Sequence, residues 1–176
     1  MVSDEALYEA LLGGDLRAFD ALYARYERPL FGFIRKQLAN LADAEDVLHE
    51  TFLAILRDRS SGRSVTSLKA WLFQIARNLC LNRHRSAHRA AHVLEAELLQ
   101  PRAPDPHPDG AISQRQTHEA LESAVARLPS ELSDLFHLRT RGLSYREIAE
   151  VLSVPLGTVN SRLHQMVSHL REELER

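Results

Sequence analysis

The chain of 176 residues has a single cysteine, Cys80, so it cannot form an internal disulfide or a zinc site built from several cysteines. It also lacks any apolar run close to the roughly 18 residues that a membrane-spanning helix needs. Its first residues carry acids before any base, which is unlike the layout of a secretory signal peptide. We therefore expect a cytoplasmic protein with no membrane insertion.

Catalytic motifs are missing as well. There is no phosphate-binding glycine loop, and His49-Glu50 begins like a zinc-protease motif but has Leu53 where the second histidine is needed. Cys80 lies in an apolar helical context, which predicts a packing residue. A row of histidines at four-residue spacing stands among arginines that would repel a cation; these are His84, His88 and His92. We predict no enzyme, no bound metal and no cofactor.

The net charge of −2 conceals a segregation of signs along the chain. Residues 43–50 carry four acids and no base, whereas residues 59–94 carry seven bases and no acid. Residues 151–171 are again free of acids. This pattern predicts one acidic and two basic surfaces that bind different partners, although charge runs can also simply solvate helix faces.

Apolar residues recur at helical spacing and no strand-type alternation is found, so an all-α fold is predicted. Four of the seven prolines fall in residues 100–109, and proline removes a backbone donor and disfavours helix in the residue before it. The sequence therefore predicts two small helical domains, residues 1–96 and 114–176, joined by a Pro-rich linker over residues 97–113.

In the first domain, a helix ending at Gly13-Gly14 is followed by a long helix containing Pro29. Asp43 is the predicted N-cap of the next helix, whose acidic first turn suits the positive end of the helix dipole. A polar loop then leads to a helix with basic residues on one side and a predicted core stripe on the other: Leu68, Trp71, Leu72, Ile75, Ala76 and Leu79.

In the second domain, Ser130 is predicted to cap one helix, and Ser144 with Glu147 forms a capping box that begins a short one. A turn at residues 153–157 separates it from a longer helix whose predicted inward residues are Val159, Leu163, Met166, Leu170 and Leu174. A capped short helix, a turn and a longer acid-free helix are typical of the helix-turn-helix DNA-binding motif.

The basic stretch of the first domain mixes arginines with aromatic and amide side chains. Guanidinium groups can hold phosphates, while an aromatic or amide group can stack on or bond to unpaired bases. For Trp71 and Phe73 a place in the core is the alternative interpretation.

Three segments together resemble a known family: Asp43–Phe52, Ala70–Arg85 and Leu128–Leu163 are similar to the polymerase-binding, promoter-melting and −35-reading segments of extracytoplasmic-function (ECF) sigma factors of the sigma-70 family. The resemblance implies an RNA polymerase sigma factor that binds core polymerase, recognises the −10 and −35 promoter elements and promotes melting. It also implies an anti-sigma partner that could hold the protein at the membrane, and a response to envelope or environmental stress.

The resemblance also implies three sets of site residues. Those implied for core polymerase are Asp43, Glu45, Asp46, His49, Glu50 and Phe52. Those implied for the single-stranded −10 element are Arg63, Lys69, Trp71, Arg77, Asn78, Asn82, Arg83 and Arg85. Those implied for the −35 duplex are Arg146, Thr158, Asn160, Ser161, Arg162, His164 and Gln165.

Two other functional classes remain open from the residues alone. One is a helix-turn-helix repressor or activator whose first domain senses a ligand. The other is a helical interaction protein that binds polymerase without starting transcripts.

Overall fold

The computed structural model describes residues 2–58, 66–94 and 120–175. The chain divides into two compact units, Met1–Arg102 and Ala103–Arg176, and the division falls within the predicted linker. In the described ranges all regular secondary structure is helical, which confirms the all-α fold class.

The described residues of the first unit form four helices, each preceded by a short polar residue that caps it. Their bounds are α1 Asp4–Leu12, α2 Leu16–Gln37, α3 Leu41–Asp58 and α4 Leu68–Leu94. The Ser3 hydroxyl accepts from the Ala6 amide and the Asp15 carboxylate from the Arg17 amide. Such caps satisfy amides that have no partner within the helix. The helix α2 continues through Pro29.

The cap of α3 differs from the prediction. Asn40, and not Asp43, occupies that position: its Oδ1 accepts from the amides of Ala42 at 2.9 Å and Asp43 at 3.4 Å. Asp43 therefore lies within the first turn. The prediction was wrong because asparagine caps as well as aspartate does, and the observed cap lies three residues, almost one turn, before the predicted one.

The core of the first unit lies among its four described helices, and α1 contributes the fully buried Leu11. Phe33 of α2 meets Phe73 of α4 edge to face, with 5.4 Å between ring centroids. On α4 the residues Leu68, Leu72 and Ala76 are buried as predicted, and Phe73 and Cys80 are buried with them. Three predicted core residues are only half-buried: Trp71, Ile75 and Leu79. The buried stripe of α4 is thus rotated by about one residue from the predicted one.

The second unit contains helical residues 120–126 (α5), followed by α6 Ser130–Thr140, α7 Tyr145–Leu152 and α8 Leu156–Leu174. The helix α8 packs against both α6 and α7. The core of the second unit includes several fully or almost fully buried apolar residues: Leu135, Leu138, Leu143, Ile148, Val151 and Val159.

The arrangement of α7 and α8 is a helix-turn-helix. Both bonds of the predicted capping box are present, with the Ser144 amide donating to Glu147 at 2.7 Å and the Glu147 amide donating to the Ser144 hydroxyl at 3.3 Å. In the turn after α7, Ser153 has a left-handed backbone conformation with φ 54°. Residues other than glycine adopt this conformation at a cost in free energy.

Three predictions for the second unit are wrong. Ser130 makes no capping bond and is the first residue of α6, since Pro129 precedes the helix and its carbonyl accepts from the Leu132 and Ser133 amides. Leu174, the last residue of α8, is not in the core but 49% exposed. The helix α8 also begins at Leu156, so Gly157 belongs to its first turn.

Candidate functional site

The acidic segment forms one exposed edge of α3. Glu45, Asp46 and His49 are exposed, while Asp43 and Glu50 are partly covered. Asp43, Asp46 and Glu50 are spaced by three and four positions, and Glu45 and His49 by four, so the five form two adjacent rows on one side of the helix. The edge thus offers several carboxylates to a basic partner.

Phe52 does not belong to this edge. Only 3% of it is exposed, and its ring packs against Tyr23 with 4.5 Å and Phe19 with 6.1 Å between ring centroids. A buried ring cannot contact a partner, so the expected polymerase contact by Phe52 is replaced by a role in holding α3 against α2.

A groove of about 440 Å³ runs between α2 and α3 beside the acidic edge. Its apolar floor and charged rim are formed by Tyr23, Glu27, Arg28, Phe31, Glu45, Leu48 and His49. Burial and the neighbouring Glu27 carboxylate raise the pKa of Tyr23, so this phenol stays protonated. Sequence periodicity missed the groove because it depends on how two helices lie against each other.

Arg83 of α4 points toward the acidic edge of α3. Its Nη2 lies 3.0 Å from a Glu50 Oε1 and 3.7 Å from an Asp46 Oδ2, and its Nη1 lies 3.8 Å from an Asp43 Oδ1. A residue implied for −10 DNA is therefore paired with three residues implied for polymerase. The separation of more than thirty positions along the chain hides this contact from sequence patterns.

The residues implied for the −10 element fall on more than one side of α4. Trp71, Asn78, Asn82 and Arg85 are spaced by seven, four and three positions and so share one face, which we call the amide face. Asn78, Asn82 and Arg85 are exposed there, whereas Trp71 is half-buried and packs on Tyr8 with 5.8 Å between ring centroids. Both predicted roles of Trp71 thus have a structural basis.

The other residues of that set lie elsewhere. Lys69, Arg77 and Arg83 are half-buried and fall away from the amide face. Phe73 is fully buried, so of its two interpretations, a contact with unpaired bases or a place in the core, the structure favours the core. Arg63 lies outside the described residues.

The helix α8 exposes a mostly neutral polar face. Asn160, Ser161, His164 and Gln165 are exposed and Thr158 is half-buried. The Ser161 hydroxyl donates to the Thr158 carbonyl at 3.1 Å. On α7 Arg146 is exposed as well. Amide, hydroxyl and imidazole groups can read base edges in a major groove.

Arg162 differs from its neighbours on α8. Its side chain is only 21% exposed, and its Nη2 lies 2.5 Å from an Oε2 of Glu131 on α6. Arg127 pairs with Glu173 at 2.7 Å near the other end of α8. These two ion pairs hold α8 in place within its own unit. A DNA contact by Arg162 would have to compete with its pairing to Glu131.

Sequence reasoning also missed a cluster that holds α1 in place. The Tyr26 hydroxyl of α2 donates to the Asp4 carboxylate of α1, which also pairs with Arg25. Burial, and next the bond to Asp4, raise the pKa of Tyr26 well above its ordinary value. An unexpected buried polar residue in the second unit is His137.

Within the described ranges, no three histidine, cysteine or acidic side chains are placed to hold a metal ion. Nor does any described helix have the length and apolarity needed to cross a membrane. His84 of the histidine row is exposed.

Comparison with known proteins assigns both units. The family described as sigma-70 region 2 matches residues 22–90, which span most of α2, α3 and α4 up to Ala90. The family described as sigma-70, region 4 matches residues 118–170 with the helix-turn-helix. The chain belongs to the ECF sigma factors. It is an RNA polymerase sigma factor, as its residues implied.

Relatives of this sigma factor match it along nearly the whole chain. The RNA polymerase sigma-H factor of Pseudomonas aeruginosa is 29% identical over 173 residues, covering 91% of this chain and 88% of the relative. The ECF RNA polymerase sigma-E factor of Haemophilus influenzae is 27% identical over 183 residues, covering 99% and 96%. Both sigma-70 regions are present, region 2 before region 4, and this combination supports the family more strongly than a match to one region would.

Solved structures share its fold. CnrH, in complex with the cytosolic domain of CnrY, has a TM-score of 0.71 at 22% identity and covers 98% of this sigma factor and 97% of that chain. RpoE of Bartonella quintana, in complex with the anti-sigma factor NepR, has a TM-score of 0.70 at 23% identity and covers 89% and 96%.

Proposed function

We propose that this sigma factor docks core RNA polymerase on the acidic edge of α3, captures the −10 strand on the amide face of α4 and reads the −35 element with α8. The observation that carries the proposal is the placement of an exposed carboxylate edge and an acid-free amide face on neighbouring helices of one unit. A second unit then supplies the helix-turn-helix.

Core polymerase is the proposed partner of the acidic edge and the adjoining groove. Carboxylates on the rim steer a basic surface toward docking, and the apolar floor offers contact area once water is expelled. Glu45 and His49 belong both to the edge and to the groove, so they are its proposed centre.

The amide face is proposed to bind unpaired bases of the −10 element. Asn78 and Asn82 carry both donors and acceptors, which suit base edges exposed by strand separation. Arg85 on the same face can hold a phosphate without specifying sequence. Because a bound single strand is removed from the duplex equilibrium, this contact promotes melting.

The helix α8 is proposed to lie in the major groove at −35. Asn160 and Gln165 can each make paired hydrogen bonds to adenine, worth about 1–3 kcal/mol of discrimination when well placed. Their neutrality leaves sequence reading less dependent on phosphate attraction than it would be with arginines.

Further parts of the proposal concern regulation and setting. The complexes of RpoE with NepR and of CnrH with CnrY support an anti-sigma partner for this chain as well, tied to a stress signal. We place its action in the cytoplasm, with membrane attachment only through such a partner. The chain itself makes or breaks no covalent bond, and the polymerase does that chemistry.

Run-off transcription with purified core polymerase on a promoter library tests the proposal. We expect transcripts that depend on this chain and begin at related sequences, with none from core polymerase alone. Footprints on duplex DNA without polymerase would favour a repressor or activator. Binding to polymerase without any transcript would favour a non-initiating interaction protein.

A further inference from the structure

Tyr8 of α1 contacts two other helices of the first unit. Its ring packs against the Trp71 ring near the start of α4, with 5.8 Å between the ring centroids and 58° between the ring planes. Its hydroxyl donates to the carboxylate of Asp58, the last residue of α3, at 3.3 Å. Only 4% of Tyr8 is exposed. One buried side chain of α1 thus joins the end of α3 to the first aromatic residue of α4.

The two contacts hold Tyr8 at opposite parts of its side chain. A tilted ring pair at this centroid distance is a favourable aromatic arrangement. The hydroxyl lies at the far end of the ring, and its bond to a carboxylate is stronger than a bond between two neutral groups. The ring on which Trp71 packs is therefore held in place by α3 as well as by α1.

Trp71 is half-buried, so part of it remains accessible to a partner. It belongs to the amide face together with Asn78, Asn82 and Arg85. Eleven positions separate Trp71 from Asn82, which is about 16 Å along a helix, so the two side chains cannot contact the same base. An aromatic ring offers a stacking surface to any unpaired base. Trp71 is thus placed to stack on a nucleotide other than the one that Asn82 contacts.

We infer that Tyr8 is a positioning residue for capture of the −10 strand, because it fixes the Trp71 ring on which an unpaired base stacks. A ring that first becomes ordered on binding loses rotational freedom, which weakens affinity about two- to tenfold. Tyr8 removes this loss by ordering Trp71 before the strand binds. The inference rests on the proposed function and extends it to α1, which precedes the residues 22–90 matched by the sigma-70 region 2 family.

A purely structural role for Tyr8 would be to attach α1 to the unit. Tyr26 has such a role, because its hydroxyl donates to Asp4 at the start of α1. Tyr26→Phe removes that hydroxyl and is therefore the matched control for Tyr8→Phe. If attachment of α1 were all that mattered, the two variants would affect strand binding alike.

The experiment measures how tightly a single-stranded oligonucleotide binds to holoenzyme assembled from the full-length protein and purified core polymerase. The oligonucleotide carries the non-template −10 region of a promoter recovered by run-off transcription, and in a series of variants each nucleotide in turn is made abasic. For the parent, removal of one particular base should weaken binding about tenfold or more. Trp71→Leu should abolish the effect of removing that base, which identifies it as the stacked one.

The variants of Tyr8 separate its ring from its hydroxyl. Tyr8→Phe keeps the ring and loses the bond to Asp58, whereas Tyr8→Leu loses the ring as well. Both should weaken binding of the intact oligonucleotide, within about two- to tenfold and more for Tyr8→Leu. Both should also reduce the effect of removing the stacked base, with no change at other positions. Tyr26→Phe should bind every oligonucleotide as the parent does.

Variants of Asp58 test the same bond from its other side. Asp58→Ala removes the acceptor and should resemble Tyr8→Phe, and the double variant should be no weaker than either single one, since both changes break one interaction. Asp58→Asn keeps an acceptor oxygen and should resemble the parent. These mild changes keep the test decisive if Tyr8→Leu does not fold.

Two results would overturn the inference: parent-like binding by Tyr8→Phe and Asp58→Ala, or losses spread evenly over all positions of the oligonucleotide. Equal losses in Tyr8→Phe and Tyr26→Phe would also overturn it, because they would reflect attachment of α1 alone. The proposed function fails differently. A parent holoenzyme that does not bind the oligonucleotide contradicts strand capture itself, and an unchanged Trp71→Leu contradicts stacking on Trp71 and the role of Tyr8 with it.

Discussion

Glu131 and Arg162 form an ion pair that holds the first half of α8 to α6. Because Arg162 is engaged, Arg162→Ala should lower the melting temperature of the second unit while changing the salt dependence of −35 binding little. Glu131→Gln should instead free Arg162 to reach a phosphate and steepen that dependence by about one unit of log affinity against log salt. Arg171→Ala, at an exposed arginine of the same helix, is the control.

The measurement is a salt titration of holoenzyme binding to a promoter fragment for each variant, with circular dichroism for stability. If Arg162→Ala flattens the salt dependence by a full unit and leaves the melting temperature unchanged, Arg162 contacts phosphate and its pairing with Glu131 does not persist.

The hydroxyl of Tyr26 makes the attachment of α1 sensitive to alkali. Its pKa is raised in the folded protein, so the folded state holds a proton that the unfolded chain loses above its ordinary pKa of about 10. The contribution of this group is fully present below that pH and is lost as the pH rises toward the folded pKa. We expect the free energy of unfolding to fall from about pH 10 upward.

Urea unfolding at closely spaced pH values from neutral to alkaline checks this expectation. Tyr26→Phe removes the titrating group, so the free energy of unfolding of this variant should fall less steeply with pH in the alkaline range. A control with the same chemistry is Tyr145→Phe, at an exposed tyrosine of the second unit. Identical slopes for the parent and Tyr26→Phe would contradict the role of Tyr26.

At the scale of a single element, α3 combines a buried side with an acidic edge. Glu45→Lys reverses a charge that has no internal ion pair within the described ranges, so it tests docking without disturbing Arg83. We expect core polymerase binding to weaken about fivefold to tenfold, mainly through slower association that recovers at high salt. The measurement is association kinetics with core polymerase at two salt concentrations.

Glu9→Lys is the matched control, because Glu9 is an exposed acid on α1 and carries the same charge change. Its association rate should fall much less than that of Glu45→Lys. If the two variants associate at the same rate, net charge governs the encounter and the acidic edge of α3 is not the docking surface.

The elements themselves were largely predictable from the sequence. The capping box at Ser144 and Glu147 and the helix-turn-helix follow from local rules that the structure confirms. The errors at Asp43 and Ser130 concern where a helix begins: Asn40 caps α3 three residues before the predicted position, and Pro129 precedes α6 one residue before the predicted cap. The rotation of the buried stripe of α4 depends on the helices packed around it, which periodicity within α4 does not contain.

The ion pairs of the candidate sites were less predictable. Arg83 with Glu50, and Arg162 with Glu131, join residues about thirty positions apart, and both arginines were assigned to DNA. Charge patterning along a helix gives the sign of a face, but it does not show which cations another helix already neutralises. The amide face of α4 was partly predictable, because its members follow helical spacing.

At the scale of the whole molecule, promoter opening should separate from duplex binding. Asn78→Ala combined with Asn82→Ala removes two exposed amides from the amide face without touching the helix-turn-helix. Open-complex formation on a duplex promoter should fall about tenfold or more, as expected for losing two base contacts. A template with a pre-melted −10 bubble should recover part of the loss, because its melting cost is removed.

Permanganate footprinting on both templates measures the opened fraction. His84→Ala, at an exposed residue on another side of α4, is the control and should resemble the parent. Equal losses on duplex and bubble templates would show that the two asparagines contribute affinity alone and take no part in opening.

Cys80 gives the first unit a chemical reporter that the second unit lacks. The one thiol of the chain is fully buried in that unit, so a thiol reagent modifies it only during an opening of the surrounding helices. Its modification rate, relative to the rate in the denatured chain, gives the equilibrium constant of that opening. A partner that binds only the closed unit must slow the modification by mass action, so reaction of unaltered protein with the reagent measures occupancy of this unit without any label.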